Sequence, residues 1–241
     1  MAGHSHWAGI KHKKGKQDKE RSKTFAKLSR EITVAAKFGA KDPDSNPRLR
    51  AAIQASREAN MPKDNITRAI SKSEMDVSKN YESLRYEGFG PYNVALIIET
   101  LTDNKNRTAS NIRTILQKNG GRLGETGSTT HHFFVCGVLH LAREKISDEK
   151  IIELSVNTGA KDCSSSSEYH EILTERDDFY KIKSEIENKV DSFLYSGIEW
   201  RPQTYLDISK EESESVVKML EALEEDDDVQ NTFVNCNIHL N

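Results

Sequence analysis

Long apolar runs are the first thing missing from this chain. The longest, Val94 to Ile98, has five residues, far below the roughly 20 that a membrane-spanning helix needs, so no bilayer-spanning segment and no membrane partner is expected. Cysteine is scarce as well. Cys136, Cys163 and Cys236 stand far apart and form no C-x-x-C pair, which argues against a disulfide framework or a zinc ribbon and fits a reducing, cytoplasmic setting. The opening "MAGHSHWAG" has no apolar core of the kind an export signal needs. The basic stretch behind it contains Asp18, Glu20 and Glu31, acids that transit peptides avoid.

Catalytic and cofactor patterns are missing too. The glycine-rich "NGGRLGETGS", residues 119–128, lacks the G-x-x-x-x-G-K-[ST] pattern and no helix follows it, so it reads as a tight loop with Arg122 available to a phosphate. "CSSSSEY" is a surface turn or strand edge without a nucleophile elbow. His131 and His132 are expected on a strand, facing opposite ways, and so are not a ligand pair. His4, His6 and His12 have no nearby cysteine or acid to complete a metal set. No catalytic residue, metal site or cofactor is assigned, and the chain is read as something other than an enzyme.

What the sequence does hold is segregated charge. Residues 1–73 carry 17 Lys and Arg against 7 Asp and Glu, a net of +10, leaving 18 against 31, a net of −13, for the remainder. Such an asymmetry points to an anionic partner for the N-terminal part. With 241 residues, 35% hydrophobic and 30% charged, two or three small domains are expected.

Periodicity divides the chain accordingly. Residues 16–38 read as a helix, with Phe25, Leu28, Ile32, Ala35 and Ala36 on one side and Gly39 ending it. Asn46 and Pro47 open a second helix as cap and first residue, Pro62 closes it, and "PKDNITRAISKS" supplies a short third. From residue 81 the period shortens. "SLRYEGF" and "VALIIETL" read as strands joined across "GPYN", followed by a helix capped by Asn106. "HHFFVCGVLHLA", "EYHEIL" and "SGIEW" read as strands alternating with helices that begin near Ile146 and Phe179. "QTYLDI", a helix with a Ser209–Glu212 capping box, and "NTFVNCNI" end the chain.

The fold expected is α+β: a basic three-helix domain (1–78), an α/β sandwich domain (79–134 plus 203–241) and a second sandwich (135–202) inserted within it, both ferredoxin-like. The last strand-helix-strand could stand alone, but "VALIIETL" is apolar on both faces and needs a neighbour on each side, which favours its rejoining the first sheet.

On a helical wheel, Lys16, Lys19, Lys23, Lys27, Arg30 and Lys37 fall within roughly 80° of arc, opposite the apolar stripe. No acid lies on that arc, and cations about every 5 Å suit a phosphate backbone. Lys11, Lys13 and Lys14 would extend the stripe as an arm, and Trp7 among them could stack on a base or anchor the arm to the body. Lys105 and Arg107, at the start of a helix after a strand, form a second candidate anion site beside Asp103. The acidic "EEDDD", residues 224–228, reads as a solvated helix end, with competition for the basic face as the alternative.

Several stretches are recognisable together: "MAGHSHWAGIKHKK", "NPRLRAAI", "NMPKDNI", "RYEGFGPYNVALIIETLTDNKNRT", "GGRLGETGS" and "DVQNTF". In them the chain resembles the YebC/PmpR family, which also includes the mitochondrial translational activator of cytochrome oxidase subunit one. The resemblance implies a helical domain followed by two α/β domains, the third inserted within the second. It also implies a nucleic-acid-binding regulator, either a DNA-binding transcriptional regulator or a translation factor acting on ribosomal RNA. His6, Gly9 and Arg122 stand where Lys, Asn and Asn are usual. The expected partners are DNA or ribosomal RNA through the basic helices, and the ribosome or another protein through the acidic domains. A protein-interaction scaffold that docks its basic helix on an acidic partner is the reading from another class.

Overall fold

The computed structural model describes residues 17–75, 81–190 and 192–239. The chain forms two compact units, one of Met1–Thr130 with Tyr205–Asn241 and one of His131–Thr204.

The first unit begins with three helices, α1 (Gln17–Phe38), α2 (Pro47–Glu58) and α3 (Lys63–Met75). Asn46 sets the α1–α2 corner. Its Oδ1 accepts from the Leu49 N–H at 3.1 Å, capping α2, while its Nδ2 donates to the carbonyls of Ala35 and Ala40 at 2.8 and 2.7 Å. Gly39, just past the end of α1, lies so close to this amide that a Cβ would come within 2.5 Å of it. The helices bury Ile32, Ala35 and Ala36 against Leu49, Ile53, Met61 and Ile66, with Phe25 and Leu28 at the edge. The Thr33 hydroxyl ties α1 to α3 by donating to the Ala69 carbonyl.

A four-stranded antiparallel sheet follows, in the order β3-β1-β2-β9, from β1 (Glu82–Phe89), β2 (Ala95–Thr102), β3 (Arg122–Leu123) and β9 (Val229–Val234). The late strand β9 thus pairs with β2, giving the apolar central strand its second neighbour. Helices α4 (Lys105–Lys118) and α7 (Lys210–Glu224) pack Ile112, Leu116, Val216 and Leu220 on Leu96 and Ile98. The capping box of α7 forms as expected. The cap of α4 is Asn104, not Asn106, because Asn104 has the extended backbone and accepts from the Arg107 N–H; Asn106 is already inside the helix. Two-residue strands β8 (Leu206–Asp207) and β10 (Cys236–Asn237) pair in parallel beside it.

The second unit runs β4 (Phe133–Ala142), α5 (Asp148–Thr158), β5 (Asp162–Ser165), β6 (Tyr169–Glu175), α6 (Phe179–Glu187) and β7 (Tyr195–Pro202). Its antiparallel order β5-β6-β4-β7 in a β-α-β-β-α-β chain is the ferredoxin-like arrangement. Leu139, Leu141 and Ile172 of the sheet meet Ile151, Phe179 and Ile182 of the helices. Ser147 caps α5 and Gly159, at φ 79°, ends it in the left-handed conformation. Of the two readings of "CSSSSEY", the strand edge holds: its first residues form the edge strand β5, paired with β6. One detail differs from the periodicity. His131 and His132 lie in a helical turn before β4, rings 4.0 Å apart, since β4 begins at Phe133. Among the described residues no helix is long and apolar enough to cross a membrane, and no group of three His, Cys, Asp or Glu is placed to hold a metal ion.

Glu87 explains how the glycine-rich loop is held. From β1 its carboxylate accepts from the N–H groups of Gly127, Thr129 and Thr130 at 3.0, 2.8 and 2.8 Å and from the Thr130 hydroxyl at 2.6 Å. Burial alone would raise its pKa, but these donors outweigh it and hold the carboxyl at about 2, down from its usual 4.5. A depressed folded-state pKa contributes stability that is present above about pH 4.5 and lost as the pH falls towards 2, worth about 3 kcal/mol. The urea midpoint should fall through that window, and Glu87→Gln should flatten this part of the profile and lower the midpoint at pH 7.

Candidate nucleic-acid interface

The amphipathic wheel of α1 is present, but its cationic arc does not face open solvent along its whole length. From Lys23 to Arg30 it lies against the acidic turn between α7 and β9. Lys23 Nζ is 2.5 Å from Glu225 Oε1, and Lys27 Nζ donates to the Glu224 carbonyl at 3.3 Å. Arg30 Nη1 donates to the Asp227 carbonyl at 2.6 Å and to Asp228 Oδ1 at 3.1 Å. Val34, which falls between Arg30 and Lys37 on the same arc, is 1% exposed. The "EEDDD" segment is therefore docked on the basic helix, not solvated at a free helix end. The reason is topological: β9 pairs with β2, and the turn leading into β9 comes up beside α1.

Asp228 is the centre of this contact. Its Oδ2 accepts from the Thr102 and Thr108 hydroxyls at 3.1 and 2.8 Å and from Arg107 Nη2 at 2.7 Å, while Oδ1 takes Arg30. Burial pushes the carboxyl up, yet Arg107 and Thr108 prevail and its pKa lies below the usual range. Arg107, a candidate for anion binding, is thus held by Asp228 and by Asp103 at 2.9 Å. Lys105 beside it is exposed.

The remaining candidates divide simply. Trp7, Lys11, Lys13, Lys14 and Lys16 lie outside the described residues, Lys19 is within α1, and Lys37 is half-buried near its end. A cationic feature that the wheel of α1 alone does not disclose lies on the other side of Arg30. A groove of about 500 Å³ runs between α1 and α3, with Arg68 and Lys72 of α3 exposed along it and Arg30 and Tyr81 at its border. No acid lines it. The signal was available in "ITRAISK", where Arg68 and Lys72 are four apart and alternate with the buried Ile66 and Ala69.

The two layers of the acidic contact differ in energy. Glu225 is largely exposed, and such pairs contribute under about 1 kcal/mol. Asp228 is buried, and removing it takes one acceptor from each of Arg30, Arg107, Thr102 and Thr108, at a cost of about 3 kcal/mol. Glu225→Gln should leave the urea midpoint almost unchanged, whereas Asp228→Ala should lower it markedly.

Comparison with known proteins gives the same architecture. The model of the TACO1/YebC protein N-terminal domain matches residues 5–76, and that of the TACO1/YebC second and third domain matches residues 81–236. A Pelagibacter ubique protein named "probable transcriptional regulatory protein" is 53% identical over 241 residues, covering all of both chains. A Zymomonas mobilis protein of the same description is 50% identical over 238 residues, 99% of this chain and 96% of that one. The crystal structure of a conserved hypothetical protein from Aquifex aeolicus superposes with a TM-score of 0.86 at 39% identity, covering 98% of each chain. The chain belongs to the TACO1/YebC family.

Proposed function

We propose that this protein is a nucleic-acid-binding regulator of gene expression whose helical domain grips the phosphate backbone, with DNA in transcriptional control as the first reading. The observation that carries it is the cationic surface left after pairing inside the chain. Arg21, Arg57, Lys63, Arg68 and Lys72 are exposed on the three helices, and residues 11–19 add five lysines in sequence. Cations outnumber the exposed acids Asp42, Asp44, Glu58 and Asp64 of the same helical segment, and an excess of one sign favours an anionic partner, of which nucleic acid is the commonest. The names of the two relatives support a role in transcription.

A translational role on ribosomal RNA is the second reading, favoured by the small cationic groove between α1 and α3, since single-stranded RNA is recognised in pockets of that kind. No catalytic step enters either reading. The acidic sandwiches are left to contact protein or to orient the complex.

Phosphate contacts make binding steeply salt-dependent. With roughly six of them, affinity should fall about a thousandfold between 50 and 200 mM salt. Replacing Lys11, Lys13, Lys14, Lys16 and Lys19 together with Gln should weaken binding at least tenfold and flatten the salt dependence. These lysines precede the acidic contact, so the thermal midpoint should stay in place. Salt-independent binding, or no loss in the variant, would count against the reading; crosslinking in cells, with DNA and RNA sequenced separately, distinguishes its two forms.

A further inference from the structure

The groove between α1 and α3 shares only Arg30 with the acidic contact, and its chemistry is that of a ligand seat. Arg68 and Lys72 stand one helical turn apart, exposed, and neither is paired with an acid among the described residues. Asn65 stands three residues before Arg68, and Ser29 faces the groove from α1. Neither the Asn65 carboxamide nor the Ser29 hydroxyl has a hydrogen-bond partner among the described residues. Tyr81 borders the same space, with the Arg30 guanidinium over its ring at 5.7 Å. Arg30 is itself fixed by the Leu101 and Asp227 carbonyls and by Asp228, so the flat surface at this end is pre-set.

Each part matches one part of a nucleotide. Two cations without a competing acid suit a phosphate. A carboxamide offers a donor and an acceptor side by side, as a base edge requires. An aromatic ring with a stacked guanidinium suits the face of a base. In a duplex that face is covered by the neighbouring pairs, so only an unpaired, unstacked base can use it. A groove of about 500 Å³ is of small-ligand size and could not take a duplex.

We propose that this groove seats one unstacked nucleotide of a single strand, its phosphate on Arg68 and Lys72, its base edge on Asn65 and its base face against Tyr81. The proposal rests on the reading of the helical domain as nucleic-acid-binding and adds the strandedness of the ligand.

The test uses the full chain, with fluorescently labelled single-stranded RNA and DNA of mixed sequence and the matching duplexes, at one salt concentration. Single strands should bind more tightly than duplexes. Arg68→Ala with Lys72→Ala should weaken single-strand binding by at least tenfold. Tyr81→Ala should cost roughly tenfold on single strands and nothing on duplexes, and Tyr81→Phe should restore it, because the stacking face is kept and only the hydroxyl is lost. Photocrosslinking of an iodouridine-substituted single strand to the unaltered protein should give an adduct at Tyr81 or on α3, a readout that requires no variant to fold. Duplexes bound as tightly as single strands, with Tyr81→Ala silent or the adduct elsewhere, would overturn the seat while leaving the broader reading intact. If the unaltered protein binds no nucleic acid in a salt-dependent manner, the broader reading fails, and the seat with it. Preferential capture of an acidic peptide that Arg68→Ala and Lys72→Ala abolish would assign the groove to protein and also overturn the seat.

Discussion

One buried carboxylate organises the first unit. Asp228 receives donors from the β2–α4 junction and from the cationic arc of α1, so two segments distant in sequence are fixed to a single pair of oxygens. A buried charge tolerates few arrangements, because each missing donor leaves an uncompensated cost of desolvation. The helical domain is therefore oriented on the sheet by a site with little freedom. The Arg48 contacts to Glu31, at 2.6 Å, and to the Ser83 hydroxyl add a weaker tie at the surface.

Glu87 works in the same way at another place. A carboxylate on a strand collects the amides of an irregular loop, and the glycines of that loop let its backbone come close to the sheet. At Gly121 a Cβ would stand 2.5 Å from the Phe89 carbonyl. In the second unit Glu171 does the corresponding job for side chains, accepting from Arg201 Nη2 at 2.6 Å with His140 Nε2 at 2.8 Å. Burial works against its charge, but these partners hold its pKa at about 2. Glu87, Glu171 and Asp228 are thus satisfied anchors, each tolerated because it is surrounded by donors set by secondary structure.

Much of this architecture was legible because it is local. The Asn46-Pro47 start, the Ser209–Glu212 box, the Ser147 cap and the 3.6-residue stripe of α1 each involve residues a few positions apart, and each is present. The misplaced cap of α4 is local too. Asn104 and Asn106 are equally good caps by composition, and only the backbone at the strand end distinguishes them. The serines of β5, legible as a strand edge, show no alternation because an edge strand needs little apolar surface. What periodicity could not disclose was the docking of 224–228 on α1, a contact across 197 residues that no helical wheel encodes. Glu87 was invisible for the same reason, since its partners lie about 40 residues away.

That distant contact changes how a basic stripe should be read. A helix face without acids at i,i+4 suggests a missing anion, and the simplest inference is an external one. Here the missing anion over Lys23, Lys27 and Arg30 is supplied by the chain itself, and the helix alone gives no hint of it. The informative cations are therefore those that remain once pairing in cis is set aside. Arg68 and Lys72 meet that criterion although they sit on a less conspicuous helix, because among the described residues their groove is lined by no acid and bordered by an aromatic ring. An external polyanion that follows α1 beyond its first turns must also contend with Glu225, whereas one that enters the groove does not. On electrostatic grounds the groove, more than the stripe, is where binding in trans meets least opposition.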